Sequence, residues 1–242
     1  MLLNLLTSNN ISWLDIITYI FSSLFVIFLI LPVHEFAHAF TASKLGDPTA
    51  RYSGRLSLNP ISHIDPIGAV CTIFFGFGWA KPVPVNARYF KNPKVGMAIT
   101  AVMGPVSNLL FAITAILLGN ISTLIFFKFE LNATVWYVLY NFFAFLSVIN
   151  ISLAVFNLIP IPPLDGSRVL TAVLPNRIYY NLMRYERYFF IVLLALIFLN
   201  NKTGWLSQII MSVENGFEYL LDMPFSEINT KESILYYIYY FS

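Results

Sequence analysis

The chain has 242 residues, of which 58% are hydrophobic, 17% aromatic and only 11% charged. Soluble domains average about 25% charged residues, so this composition excludes an ordinary soluble domain and points to an integral membrane protein. The net charge of +2 implies neither an acidic partner nor nucleic acid, and the one cysteine, Cys71, excludes an internal disulfide and a cysteine-rich metal site.

In chain order, the first expected membrane span covers about 14–43. No basic residue precedes it, so it does not read as a cleaved secretory signal. Lys44 to Pro66 is polar, with Gly, Pro, Asn and Ser, and is expected to be a surface loop. Residues 67–80 are apolar but too short to span, and Pro82 and Pro84 alternate with Val83 and Val85. This pattern predicts a re-entrant or β-hairpin segment near 70–90. Further spans are expected at about 96–118 and 134–159, followed by a proline-rich turn, Pro160 to Gly166. A more polar helix is predicted over 166–186, then a 12-residue apolar run at 188–199 and an amphipathic stretch at 205–221. The predicted fold is an all-α polytopic membrane protein with about 4–6 transmembrane helices. It is expected to form one membrane-embedded domain, with a core at 14–187 and an extra helix and tail over 188–242.

The first span carries ionisable residues where they are costly. His34-Glu35-Phe36-Ala37-His38 lies inside a run that is apolar from Ile16 to Phe40 apart from a few polar residues. Each charged side chain there costs about 2.5–3.5 kcal/mol on insertion scales, so such residues are functional candidates. On a helix, His34 and His38 are offset by about 40° and rise about 6 Å, and therefore share a face. Glu35 sits about 100° round from His34, near the metal without aiming at it, as suits a base acting on water. H-E-x-x-H on a helix is a zinc-binding arrangement. A catalytic zinc takes three protein ligands and keeps one open position. Among His63, Asp47, Asp65 and Asp165, the last is best placed for the third ligand. It follows the third span, in a turn that prolines hold out of helix, where Gly166 is expected to permit a positive φ. The competing role for Asp165 is a helix N-cap. His63 is expected to be a loop residue bonded to backbone, and Asp65 a turn residue. Asn108 is expected to be structural. Pro32 is expected either to kink the first helix or to be a tolerated membrane proline.

Four stretches together resemble one family. They are His34-Glu-Phe-Ala-His38, Asn157-Leu-Ile-Pro-Ile-Pro-Pro-Leu-Asp165-Gly, Gly104-Pro-Val-Ser-Asn108, and Leu58-Asn59-Pro60 through Gly68. The chain is similar over about 20–190 to the site-2 protease family of intramembrane zinc metalloproteases. By that resemblance, His34, His38 and Asp165 bind one Zn2+ per chain and Glu35 is the catalytic acid/base. Asn157 holds substrate or the developing oxyanion beside the scissile carbonyl. The implied substrates are transmembrane segments of other proteins, in contact with membrane lipid. No PDZ-like insertion or nucleotide-sensing domain is recognisable, which resembles the minimal form of the family.

Eleven Lys and Arg fall in 44–95 and 160–187, against Lys128, Lys202 and Lys231 elsewhere. Basic loops stay in the cytoplasm, so the site is expected at the cytoplasmic side of a prokaryotic cell membrane. Two rivals are a transporter using intramembrane His and Glu, and a non-catalytic metal-binding scaffold. The absence of an inverted repeat weighs against the first, and the intact Glu35 against the second.

Overall fold

The structure, a computed structural model, describes residues 12–75, 78–130, 132–175 and 204–222, with isolated positions at 2, 185, 188, 189 and 195. The first span begins with α1 (Trp13–Phe25), capped reciprocally by Ser12 and Asp15. A π-helical turn, Val26–Ile30, joins α1 to α2 (Leu31–Lys44), in which Pro32 occupies the first turn. Pro32 has no N–H and its ring crowds the preceding turn, so the looser spacing absorbs it without ending the helix. The stretch Trp13–Lys44 is thus continuous and 32 residues long.

The expected surface loop contains two single-turn helices, α3 (Thr49–Tyr52) and α4 (Pro60–His63). Residues 70–90 form no paired strands among those described. Instead α5 (Pro66–Phe75) is followed by a segment that folds back along it and meets Ile64, the residue after α4, through one isolated bridge to Ala80. Glycine makes this return possible. A Cβ on Gly68 would fall 1.9 Å from the Trp79 carbonyl oxygen, and one on Gly78 would fall 2.1 Å from the Gly68 oxygen. Asp65 begins α5 by accepting from the N–H groups of Ile67 and Gly68, the turn role expected of it.

The two longest helices follow, α6 (Pro93–Phe129) and α7 (Ala133–Leu158). With Trp13–Lys44 they are the three helices, among the described residues, long and apolar enough to cross a membrane. Small buried residues of α6, including Ala101, Gly104, Ala112 and Ala115, allow close helix approach. The shared core contains Tyr19, Val26, Ile30, Leu31, Leu146, Ile149 and Leu153. Large apolar residues face outward on all three spans, among them Phe21, Leu29, Leu110, Leu118 and Leu139. A bundle apolar inside and outside suits lipid as solvent.

After α7 the turn at 159–164 contains a cis Pro162–Pro163 bond and leads into α8 (Asp165–Val169) and a 3-10 turn, Leu170–Ala172. The helix predicted over 166–186 is therefore short where it is described, because α8 gives way to the 3-10 turn. Gly166 does not take the positive φ expected of it. Its need is for space, since a Cβ there would lie 2.2 Å from the Leu158 oxygen. The amphipathic stretch forms α9 (Trp205–Asp222), whose Ile210 packs near Phe156 and Leu164. The apolar run at 188–199 falls almost wholly outside the described residues, as does the chain beyond 222.

Candidate metal centre

His34 and His38 project from one face of α2, as their spacing requires, with their rings edge to face at 4.7 Å. Their Nε2 atoms are 3.1 Å apart. Asp165, delivered by the first turn of α8, places Oδ2 at 3.3 Å from His34 Nε2 and 3.1 Å from His38 Nε2. Asp165 does not cap its helix, since Leu164 holds the N-cap position. Burial works to raise its carboxyl, but positive charge on the facing His38 and His34 imidazoles outweighs that penalty and holds it below the usual range; with both imidazoles neutral, a bound cation would have to supply that charge.

Glu35 is 7% exposed and brings its carboxylate within 4.8 Å of the two histidines. Its Oε2 accepts from the Val83 backbone N–H at 2.9 Å, which holds it beside the cluster. Prolines flank Val83, so its N–H is the only one between Lys81 and Val85. The segment bearing it is fastened at both ends. Lys81 N–H donates to the His63 carbonyl at 2.7 Å, and Asn86 N–H donates to Asp47 Oδ2 at 2.7 Å.

These residues border a cavity of about 220 Å³. Its walls are α2, the segment 78–85, Thr100 and Ala101 of α6, the end of α7 with Asn157, and the turn into α8 with Arg168. Asn157 donates one amide N–H to the Leu153 carbonyl at 3.0 Å. An amide carries two such hydrogens, so a second donor remains. The sequence-predicted residues His34, Glu35, His38, Asn157 and Asp165 thus line one cavity. The other candidate ligands lie elsewhere. His63 is fully buried with Nε2 against the Ser57 carbonyl at 2.7 Å, and Asp47 is enclosed by Thr49 and Asn86.

The donor set fits zinc. A tetrahedral zinc with bonds of about 2.0 Å separates its ligands by about 3.3 Å, close to the three spacings here. His38 Nδ1 faces the Thr100 carbonyl at 2.7 Å. A carbonyl only accepts, so Nδ1 carries the hydrogen and Nε2 presents a lone pair to Asp165 and His34. Two lone pairs and a carboxylate gathered this closely call for a cation. Gly104 completes the fit: a Cβ there would lie 2.3 Å from His38 Nε2 and 2.6 Å from His34 Cε1.

Sequence reasoning missed the Thr100 carbonyl, the Val83 N–H and the packing role of Gly104. The first two are backbone groups and have no residue-type signature. Gly104 opens a motif already noted, Gly104-Pro105-Val106-Ser107-Asn108, whose purpose the spacing did not reveal.

Comparison with known proteins agrees with this chemistry. The chain is 40% identical over 183 residues to YwhC of Bacillus subtilis, named as a zinc metalloprotease, covering 76% of this chain and 81% of that protein. It is 28% identical over 188 residues to Rip2 of Mycolicibacterium smegmatis, likewise named, covering 74% of this chain and 68% of that protein. Zinc metalloprotease MJ0392 of Methanocaldococcus jannaschii is 26% identical over 173 residues, covering 72% of this chain and 38% of that protein. No solved structure gives a significant match. The profile of Peptidase family M50 matches residues 22–200 and so spans both halves of the metal centre, and the chain belongs to that family.

Proposed function

We propose that this metallopeptidase hydrolyses peptide bonds in or near transmembrane segments of other membrane proteins. The observation that carries the reading is the position of His34, Glu35 and His38. All three are buried within a helix long and apolar enough to span a membrane, beside a cavity that reaches them. In our reading His34, His38 and Asp165 hold one Zn2+. When bound, zinc supplies Lewis acidity that polarises the scissile carbonyl. Glu35 takes the proton of the attacking water and returns it to the leaving amine. The Val83 N–H keeps one Glu35 oxygen fixed, leaving the other to exchange the proton. Asn157 offers its second amide hydrogen to the developing oxyanion. A substrate helix hides its peptide bonds, so it must unwind to present one here.

The distribution of Lys and Arg supports a site facing the cytoplasm of a prokaryotic cell. Adding the apolar run at 188–199 to the three long helices gives four spans, the lower end of the 4–6 expected. The test compares membrane proteomes of cells carrying wild type and Glu35→Gln. Full-length proteins or membrane stubs accumulating in the mutant are the expected result. Identical proteomes, together with no cleavage of any reconstituted membrane protein by the zinc-loaded wild type, would overturn it.

A further inference from the structure

One ring nitrogen of the metal centre has no partner among the described residues. His34 Nδ1 is buried without a hydrogen bond, whereas His38 Nδ1 meets the Thr100 carbonyl. A histidine that ligates through Nε2 carries its hydrogen on Nδ1, and such a hydrogen is almost always given to a carboxylate, carbonyl or water. Leaving it buried and unmet is costly.

The register of α2 on α6 narrows where that acceptor can lie. His38 meets Thr100, and Gly104 packs on His34 as well as His38. The helices therefore run antiparallel here, and moving from His38 to His34 moves from Thr100 toward Asn108. Thr100, Gly104 and Asn108 succeed one another at four-residue steps, each offset by about 40° and about 6 Å along the axis. Asn108 is the next step of this series after Gly104, about 40° further round α6. It is 0% exposed, and both its Oδ1 and its Nδ2 lack partners among the described residues. Asn150 on α7 adds another buried Oδ1 without a partner. The α6–α7 contacts of Thr123 with Trp136 and of Gly119 with Phe143 set a register that places Asn150 within about a turn of Asn108. Buried polar groups in native proteins are satisfied, often by an internal water with two to four polar partners.

We propose that Asn108 is the positioning residue for His34. Its side-chain carbonyl receives the His34 Nδ1–H through one buried water, which fixes the tautomer and aims Nε2 at the metal. The proposal rests on the zinc reading of this centre.

Full-length protein in detergent, loaded with zinc or cobalt, provides the test. Zinc affinity is read by competition with a chromophoric chelator, and ligand-field geometry by the visible bands of the cobalt form. Asn108→Leu, which keeps the volume without the polar atoms, is expected to weaken zinc binding 10–100-fold. Asn108→Asp keeps an acceptor and is expected to stay within about threefold of wild type while shifting the cobalt bands. Wild-type affinity in Asn108→Leu would overturn the proposal. Equal losses in both variants would also overturn it, since they would indicate packing alone. If Asn108→Leu fails to fold, the Asn108→Asp cobalt spectrum decides: shifted bands support the proposal and unshifted bands overturn it. Wild type that bound neither ion would overturn the zinc reading itself, whereas failure confined to the variants overturns only the role of Asn108.

Discussion

Glu35 sits one residue from a proposed ligand yet is held by a group 48 positions away, and that separates its role from theirs. Glu35→Gln keeps the shape and an acceptor for the Val83 N–H but cannot take a proton. Cleavage of a reconstituted membrane substrate should fall by about 10²–10⁴-fold, the usual share of general acid–base catalysis. Zinc content, read by elemental analysis, should stay at one per chain. Loss of zinc in that variant would instead make Glu35 a ligand. Gly104→Ala probes the neighbouring constraint. Its added methyl would press on both imidazoles, which Thr100 and Asp165 hold from other sides. Zinc affinity should drop by at least about 10-fold, comparable to loss of an outer-sphere partner. Competition with a chelator measures it, and unchanged affinity would show that α6 simply shifts away.

The segment 78–86 links local structure to chemistry, because it forms a cavity wall and also holds the Glu35 carboxylate. Its far end depends on Asp47, which is fully buried and accepts from Thr49 N–H, Thr49 Oγ1 and Asn86 N–H. Asp47→Ala leaves these donors unmet, at a cost of about 1–3 kcal/mol for a buried group. A lower thermal midpoint in detergent is expected, with kcat falling because Glu35 is no longer aligned. Full kcat at a reduced midpoint would mean that Asp47 stabilises the loop without positioning the base. This segment also marks the limit of what could be read from the chain alone. The three long helices were legible because an apolar run of membrane length has few alternative folds. His34, Glu35 and His38 were legible because helical spacing is local. Asp165 lies 127 positions from His38 and needed a second motif to be connected to it. Residues 70–90, which contain the segment 78–86, were expected to form a re-entrant or β-hairpin segment, since alternating Val and Pro favours extended backbone. That preference says nothing of the partner. The partners are Glu35 on α2, Asp47 in the loop after it and His63 at the end of α4, which depend on tertiary packing and on the close approach that Gly68 and Gly78 permit.

At the scale of the whole molecule, three apolar spans and an uneven distribution of basic residues together make the proposed direction of the cavity testable. Trp13–Lys44 ends, and Pro93–Phe129 begins, on the side that carries Lys44, Arg51, Arg55, Lys81, Arg88, Lys91 and Lys94. The junction of α6 and α7 is opposite, and its one basic residue is Lys128 in the last turn of α6. Basic residues near span ends resist translocation, whereas acidic residues contribute little to orientation. The metal centre lies in the basic half, because α2 presents His38 six residues before its end at Lys44, and α8 reaches it from the turn after α7. The chain has one native cysteine, so Cys71→Ala gives a clean background for site-directed labelling. A cysteine at exposed Lys91 should react with a membrane-impermeant maleimide only after cells are permeabilised. One at exposed Glu130, where α6 ends in a left-handed residue, should react in intact cells. The reverse pattern would place the cavity on the outer face, and substrates would then have to present their cleavage sites from that side. Equal labelling of both positions in intact cells would mean that α6 does not cross the bilayer, which would overturn the three-span reading from which the depth of the site is inferred.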